Sequence, residues 1–243
     1  VKTMSRTLSV HKEHEFLLAM EKAGLNDALA QKVIASKSNE IAQQFIALGH
    51  DQAELILFEW QQFWEKLGIK IDITGIRIPI KKNGFDRLLV IPGNITTKKV
   101  LEFCKSFFTC WFYIAKNINS IIATNARENV VTYAIWVHDR VESDKELIGM
   151  SANDLRMKKI ATMTVLERLI FELKYYQETG HHLDLENPTI CSGSRCFRET
   201  DDVIFDRVIH IHWRDRWQDE SLVIDNFSET EHGNHYRARE IVW

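Results

Sequence analysis

The segment GHHLDLENPTICSGSRC, residues 180–196, gathers the chemistry of a small active site: His181 and His182, Asp184 and Glu186, Cys191 and Cys196, a Ser-Gly-Ser loop and Arg195. A thiolate cradled by backbone amides, with an arginine six residues on, is the arrangement of cysteine phosphatases. From Cys191 that arginine would have to be residue 197, which is phenylalanine; Arg195 comes two residues early and Arg198 one late. The register therefore fails. Ser192-Gly193-Ser194 reads instead as a turn, with Arg195 free to pair with an acid or bind an anion.

His210 and His212 form an H-x-H pair on a strand-like run, DRVIHIHW. Side chains two apart on a strand share a face, so two imidazoles could ligate a divalent metal, with His181, His182, Asp184, Asp202 or Asp206 as further ligands. That would give a metal-dependent hydrolase. A second constellation joins Asp139, Arg140 and Glu142 at a strand end to Glu167 and Arg168 at a helix start. It could perform acid–base work or clamp an anionic ligand, or could be a structural pair from Asp139 to Arg168. Lys81-Lys82, Lys98-Lys99 and Arg214-Asp215-Arg216-Trp217 offer basic, aromatic-bearing surface of the kind that binds single-stranded nucleic acid. No nucleotide-binding glycine motif occurs, and there is no H-E-x-x-H. His232 and His235 fall in a stretch that reads as a polar tail.

The elements that must position these groups are mostly plain. Helical periodicity covers 10–23, 26–36, 38–48 and 51–67, the last with Ile56, Trp60, Phe63, Trp64 and Leu67 on one apolar stripe. Ile69, Ile71, Ile73, Ile76, Ile78 and Ile80 then alternate with other residues, and Asn83-Gly84 separates them from Leu88–Ile91, a hairpin pattern with Pro79 at an edge. Thr96 or Thr97 caps a helix whose apolar period runs from Val100 through Cys104 to Trp111, with Cys104 a small core hydrophobe. VVTYAIWVHDRV alternates as a strand, Ser151/Asp154 and Thr164/Glu167 form capping boxes, and Gly180 ends the second of those helices. Thr189–Cys191, DDVIFDRVIHIHW and SLVIDNF follow as strands. Helices and strands come without βα regularity, so the expectation is an α+β fold: a helical N-terminal region, 1–68, followed by an α+β domain, 69–243, with a mixed or antiparallel sheet packed with two or three helices.

The 31 basic and 34 acidic residues give a net charge of −3 and are interspersed, which argues against duplex DNA as the main partner. No apolar run reaches the roughly 18 residues of a membrane helix, and no leader pattern opens the chain, so a cytoplasmic location without membrane partners is expected. Four cysteines at these spacings make neither a disulfide scaffold nor a common zinc motif.

In order along the chain, W-V-x-D-R-V-E (136–142), S-A-N-D-L (151–155), L-E-R-L (166–169) and C-S-G-S-R (191–195) resemble an uncharacterised family of bacterial proteins, and RLLVIPGNITTKKV and CWFY extend the likeness over roughly 85–217. On that wording fall Trp136, Asp139, Arg140, Glu142, Glu167, Arg168, Gly180, Cys191, Gly193, Ser194 and Arg195. His138, His182, Cys196, His210 and His212 depart from it. The resemblance implies no activity, cofactor or partner. The leading expectation is a binding or interaction protein, with the helical N-terminal region suited to homo-oligomer assembly; the metal-dependent hydrolase and the single-stranded nucleic-acid binder are the alternatives. Anion binding falls to Asp139, Arg140, Glu167, Arg168 and Arg195, and metal binding to His210, His212, His181 and His182.

Overall fold

The computed structural model describes residues 10–43, 52–112, 118–196, 207–216 and 219–243. Part of the expected 38–48 helix, the expected helix start at Asp51, and Phe197, Arg198, Asp202, Asp206 and Trp217 lie outside them. The fold is α+β, and the chain divides into two compact units, Val1–Leu55 and Ile56–Trp243. The first holds α1 (Val10–Lys22), α2 (Asp27–Ile34) and a 3₁₀ turn at Lys37–Asn39; the side chain of Asn26 accepts from Leu29 N at 3.1 Å and caps α2.

Helix α3 (Gln52–Lys66) carries Trp60, Phe63 and Trp64, all buried in the core of the second unit. Their task is more specific than filling volume. Strand β1 (Arg87–Ile91) is an edge strand in a three-stranded antiparallel sheet of order β1-β4-β10, with β4 at Tyr133–Val137 and β10 at Ile241–Val242. The indole N–H groups of Trp60 and Trp64 donate to the carbonyls of Leu88 and Val90 at 2.9 and 3.1 Å. Two carbonyls on the open edge are thus satisfied by side chains, which blunts it against further pairing.

That explains where the expected hairpin fails. Residues 69–86 form no strand; Ile69, Ile71, Ile73, Ile76 and Ile78 pack one by one against the core, while Gly75 and Gly84 take positive φ in turns. Pro79 serves instead as an acceptor, its carbonyl bonded to Trp136 Nε1 at 2.9 Å. The helix expected through Trp111 also stops early. Capped by Thr96, α4 runs Thr97–Phe107; Phe108 is extended, and Cys110–Phe112 form β2, with Trp111 54% exposed. Its inner face is Val100, Leu101 and Cys104, so Cys104 is the core residue expected.

The larger sheet has the order β2-β8-β7-β5-β9, with β6 pairing β7 and β3 pairing β6. Its spine is the antiparallel ladder of β7 (Arg207–Arg216) on β8 (Asp219–Ser228). Beside it lie β3 (Ile122–Asn125), β5 (Thr189–Ile190), β6 (Ser194–Cys196) and β9 (Arg237–Ala238), the last parallel to β5. Short helix α5 (Ile118–Ile121) precedes β3. The two expected capping boxes are present: Ser151 with Asp154 opens α6 (Ala152–Met157), and Thr164 with Glu167 opens α7 (Val165–Thr179), which Gly180 ends in the left-handed conformation at φ 71°. The expected polar tail does not extend through its last residues. Residues 237–242 cross from the larger sheet at β9 to the smaller at β10, with Ala238, Arg239, Ile241 and Val242 buried. Among the described residues no helix is long and apolar enough to cross a membrane.

Removing Trp64 should lose its buried area and its bond to Val90 together. Trp64→Ala is expected to destabilise by about 3–5 kcal/mol in urea unfolding, whereas exposed Trp111→Ala should shift stability by well under about 1 kcal/mol.

Candidate functional site

The first half of α7 is buried on every side, Glu167, Arg168 and Glu172 included. Buried charges need partners, and these have them. Arg168 donates to Asp184 Oδ2 and Glu172 Oε2, both at 2.8 Å; Arg239 donates to Asp184 Oδ1 at 2.7 Å and to the carbonyls of Arg140 and Val141 at 3.0 and 2.6 Å. Glu172 Oε1 meets Trp213 Nε1 at 2.8 Å and His182 Nδ1 at 2.9 Å, and the His182 ring is stacked between Trp213 and Tyr176. Burial pushes the Asp184 carboxyl up, but Arg239 and Arg168 more than offset it and hold it below the usual range. Asp184 itself sits at φ 57°, a left-handed conformation that aspartate tolerates better than most residues. The loop after it is fixed by Glu142, whose carboxylate accepts from the amides of Leu185, Glu186 and Asn187 at 2.9–3.1 Å.

This cluster redistributes the expected anion-binding set. Arg168 is sealed inside it and does not pair with Asp139, which meets Arg87 at 3.4 Å; Arg140 takes Glu146 at 2.8 Å. Glu167 receives Arg127 through Nε and Nη2 at 2.7 and 2.6 Å, with Tyr133 OH at 2.7 Å and Thr164 N at 2.7 Å. Asp139, Arg140, Glu167 and Arg168 therefore form separate pairs rather than a clamp, because each guanidinium found a nearer carboxylate.

The expected metal set does not converge either. His210 and His212 do share a face, with ring centroids 5.5 Å apart. His182, however, stacks on Trp213, which points to the opposite face of β7 along with Ile209 and Ile211, and His181 is exposed. Alternation along the strand separates the two histidine pairs. Among the described residues no group of three histidine, cysteine or acidic side chains is placed to hold a metal ion. Burial, with repulsion from His212, His235 and Arg214, pushes the His210 imidazolium down to about 3; burial and Arg214 push that of His212 down to about 4. Burial likewise raises the Cys191 thiol and lifts that of Cys196 to about 12, so neither is a ready nucleophile. The basic surface is partly neutralised: Lys81 pairs with Asp86 at 2.8 Å, and Lys98 and Lys99 face Glu102 at 3.9 and 3.8 Å.

Arg195 leads somewhere different. The C-S-G-S-R turn is sewn into the structure at each residue: Cys191 N donates to Ile209 O at 2.8 Å, Gly193 N to Met163 O at 3.0 Å, and Ser194 Oγ accepts from Val165 N, the first residue of α7, at 3.0 Å. A Cβ on Gly193 would lie 2.6 Å from Thr162 O, so only glycine allows this approach. The turn, β3 and the residues after α6 enclose a cavity of about 410 Å³. Into its wall come Arg127, Arg156, Lys159 and Arg195, beside the hydroxyls of Thr162 and Ser192, which lie 2.5 Å apart; no aspartate or glutamate is among its described lining residues.

Two carboxylates serve the four cations. Glu167 holds Arg127, and Glu229 is shared, 3.3 Å from Arg195 Nε and 3.6 Å from Arg156 Nη2. Lys159, held in the left-handed region at φ 55°, has no ion pair among the described residues. Burial lowers the Arg195 pKa, Glu229 offsets this only in part, and Arg156 adds to the lowering. A guanidinium cannot shed its proton near neutrality, so Arg195 remains a cation short of counter-charge. Arg127 and Trp243 were missed by sequence reading, since nothing in NARENV or REIVW marks either residue locally.

Compared with family models, curated proteins and solved structures, the chain matches none of them.

Two outcomes follow. Asp184→Ala, which strands Arg168 and Arg239, should destabilise by about 3–5 kcal/mol in urea unfolding. His210 stays neutral in the fold but binds a proton below about pH 6.5 once unfolded, so its contribution is complete above that pH and is lost as pH falls toward 3. The loss approaches about 1.4 kcal/mol per pH unit. Urea midpoints between pH 7 and 5 should therefore fall less steeply for His210→Phe than for the parent; equal slopes would contradict the assignment.

Proposed function

We propose that this chain is a binding protein for a small oxyanion-bearing ligand, seated in the cavity between the C-S-G-S-R turn, β3 and the end of α6. One observation carries the reading: four cationic side chains line one cavity, and among the described residues two carboxylate side chains, Glu167 and Glu229, meet them, so that positive side-chain charge exceeds negative there. A dianion such as a phosphate group would balance it. Arg195 would supply a planar, partly desolvated donor, Lys159 and Arg156 the charge at the rim, and the Thr162 and Ser192 hydroxyls neutral hydrogen bonds. Glu229 is shared between the two arginines, Arg195 Nη1 donates to the carbonyls of Ser192 and Ser194, and Arg156 Nη2 to Asn153 Oδ1, so a ligand would take Arg195 Nη2 and Arg156 Nη1, whose hydrogens have no acceptor among the described residues. The H-x-H hydrolase lacks a third ligand among the described residues, and of the basic patches weighed for nucleic acid Lys81, Lys98 and Lys99 each lie beside a carboxylate.

Titration calorimetry with inorganic phosphate at low ionic strength tests the proposal. Saturable binding should weaken with added salt, as screening of charge requires. Arg195→Gln and Lys159→Gln should each reduce affinity at least about fivefold, a loss of roughly 1 kcal/mol, while Lys66→Gln, at an exposed position at the end of α3, should leave it unchanged. No binding, or equal loss in all three variants, would overturn the assignment.

A further inference from the structure

The anion cavity does not end at Arg127. A second cavity of about 730 Å³ shares Ala126, Arg127 and Trp243 with it. Its chemistry is opposite. Ile78, Pro79, Ile80, Val131 and Val242 make an apolar wall, and Tyr133 closes it with its hydroxyl turned to Glu167. Large hydrophobic side chains are usually covered, yet Ile80 is 91% exposed, Val131 69% and Trp243 68%. They gather on this one cavity. The Trp243 ring is oriented by the guanidinium of Arg127, 5.8 Å from its centroid, and Arg127 is fixed in turn by its two bonds to Glu167. At the junction of a cationic and an apolar cavity there is therefore an exposed indole with a positioned cation on one side. Such a surface favours a planar aromatic ring over a flexible chain, because stacking adds to area burial and freezes few torsions.

We infer that the ligand is an aromatic monophosphate, of the size of a nucleoside monophosphate, with its phosphate among Arg195, Arg156 and Lys159 and its ring stacked on Trp243 in the apolar cavity. The inference rests on the anion-binding reading and gives it a substrate class. Arg77 and Lys82 also line the second cavity against a single acid, Glu128, so the apolar half too favours a ligand of negative overall charge.

The test compares inorganic phosphate, phenyl phosphate, hexyl phosphate and adenosine 5′-monophosphate by titration calorimetry on the full chain, with tryptophan fluorescence in parallel. Phenyl phosphate and the nucleotide are expected to bind at least tenfold more tightly than inorganic phosphate and to quench fluorescence, and hexyl phosphate to gain less than threefold. Trp243→Ala should abolish the aromatic gain and the quenching while leaving inorganic phosphate within twofold; exposed Ile80→Ser, which carries no folding role, should reduce the gain in part. Inorganic phosphate binding with no aromatic gain would overturn the inference and leave the anion site standing. A gain equal for hexyl phosphate, or one that survives Trp243→Ala, would overturn it as well. Failure of every ligand to bind would remove both readings.

Discussion

Two guanidiniums and two carboxylates, Arg168, Arg239, Glu172 and Asp184, are closed off from water at the centre of the second unit. A buried charge is tolerated only while its partners stay in place, so every element that supplies one is constrained by the others. Arg168 and Glu172 come from α7, Asp184 from the loop that Glu142 orders, and Arg239 from the two-residue passage between β9 and β10. That passage is where the chain leaves one sheet for the other. The ion cluster thus fixes the register of α7 against both sheets.

The cavity follows from the same constraint. With α7 held, its first amide, Val165 N, docks on Ser194, and the C-S-G-S-R turn is brought against Thr162 and Met163 closely enough to require Gly193. Arg195 then emerges beside the end of α6. The passage through Arg239 carries the chain on to Trp243, which meets Arg127 at the wall of the same cavity. A segment resembling an active site by composition is consequently a structural joint, with the guanidinium of Arg195 displayed beside the cavity.

Legibility in the sequence tracked the range of the interactions involved. Capping boxes at Ser151 and Thr164, the stop at Gly180 and the apolar stripe from Ile56 to Leu67 depend on residues three or four apart, and all were readable. The hairpin over 69–91 was not. Its alternation is real, but the edge of β1 is covered by indoles from Trp60 and Trp64, 28 and 26 residues away. Burial of the 237–242 passage was equally invisible, since its polar groups are met by carboxylates distant in sequence, Asp184 for Arg239 and Asp144 for the amide of Glu240.

Sequence alone determined the α+β class, most helix ends, the place of Cys104 in the core, and the failure of cysteine phosphatase chemistry, for each rests on local periodicity or exact spacing. Tertiary structure alone decided the pairing of charges. An arginine and an acid attract at any sequence distance, and the carboxylate that wins is the one the packed core brings within hydrogen-bond reach. Asp139 therefore took Arg87, Arg168 took Asp184, and Arg195 and Lys159 were brought to the wall of one cavity.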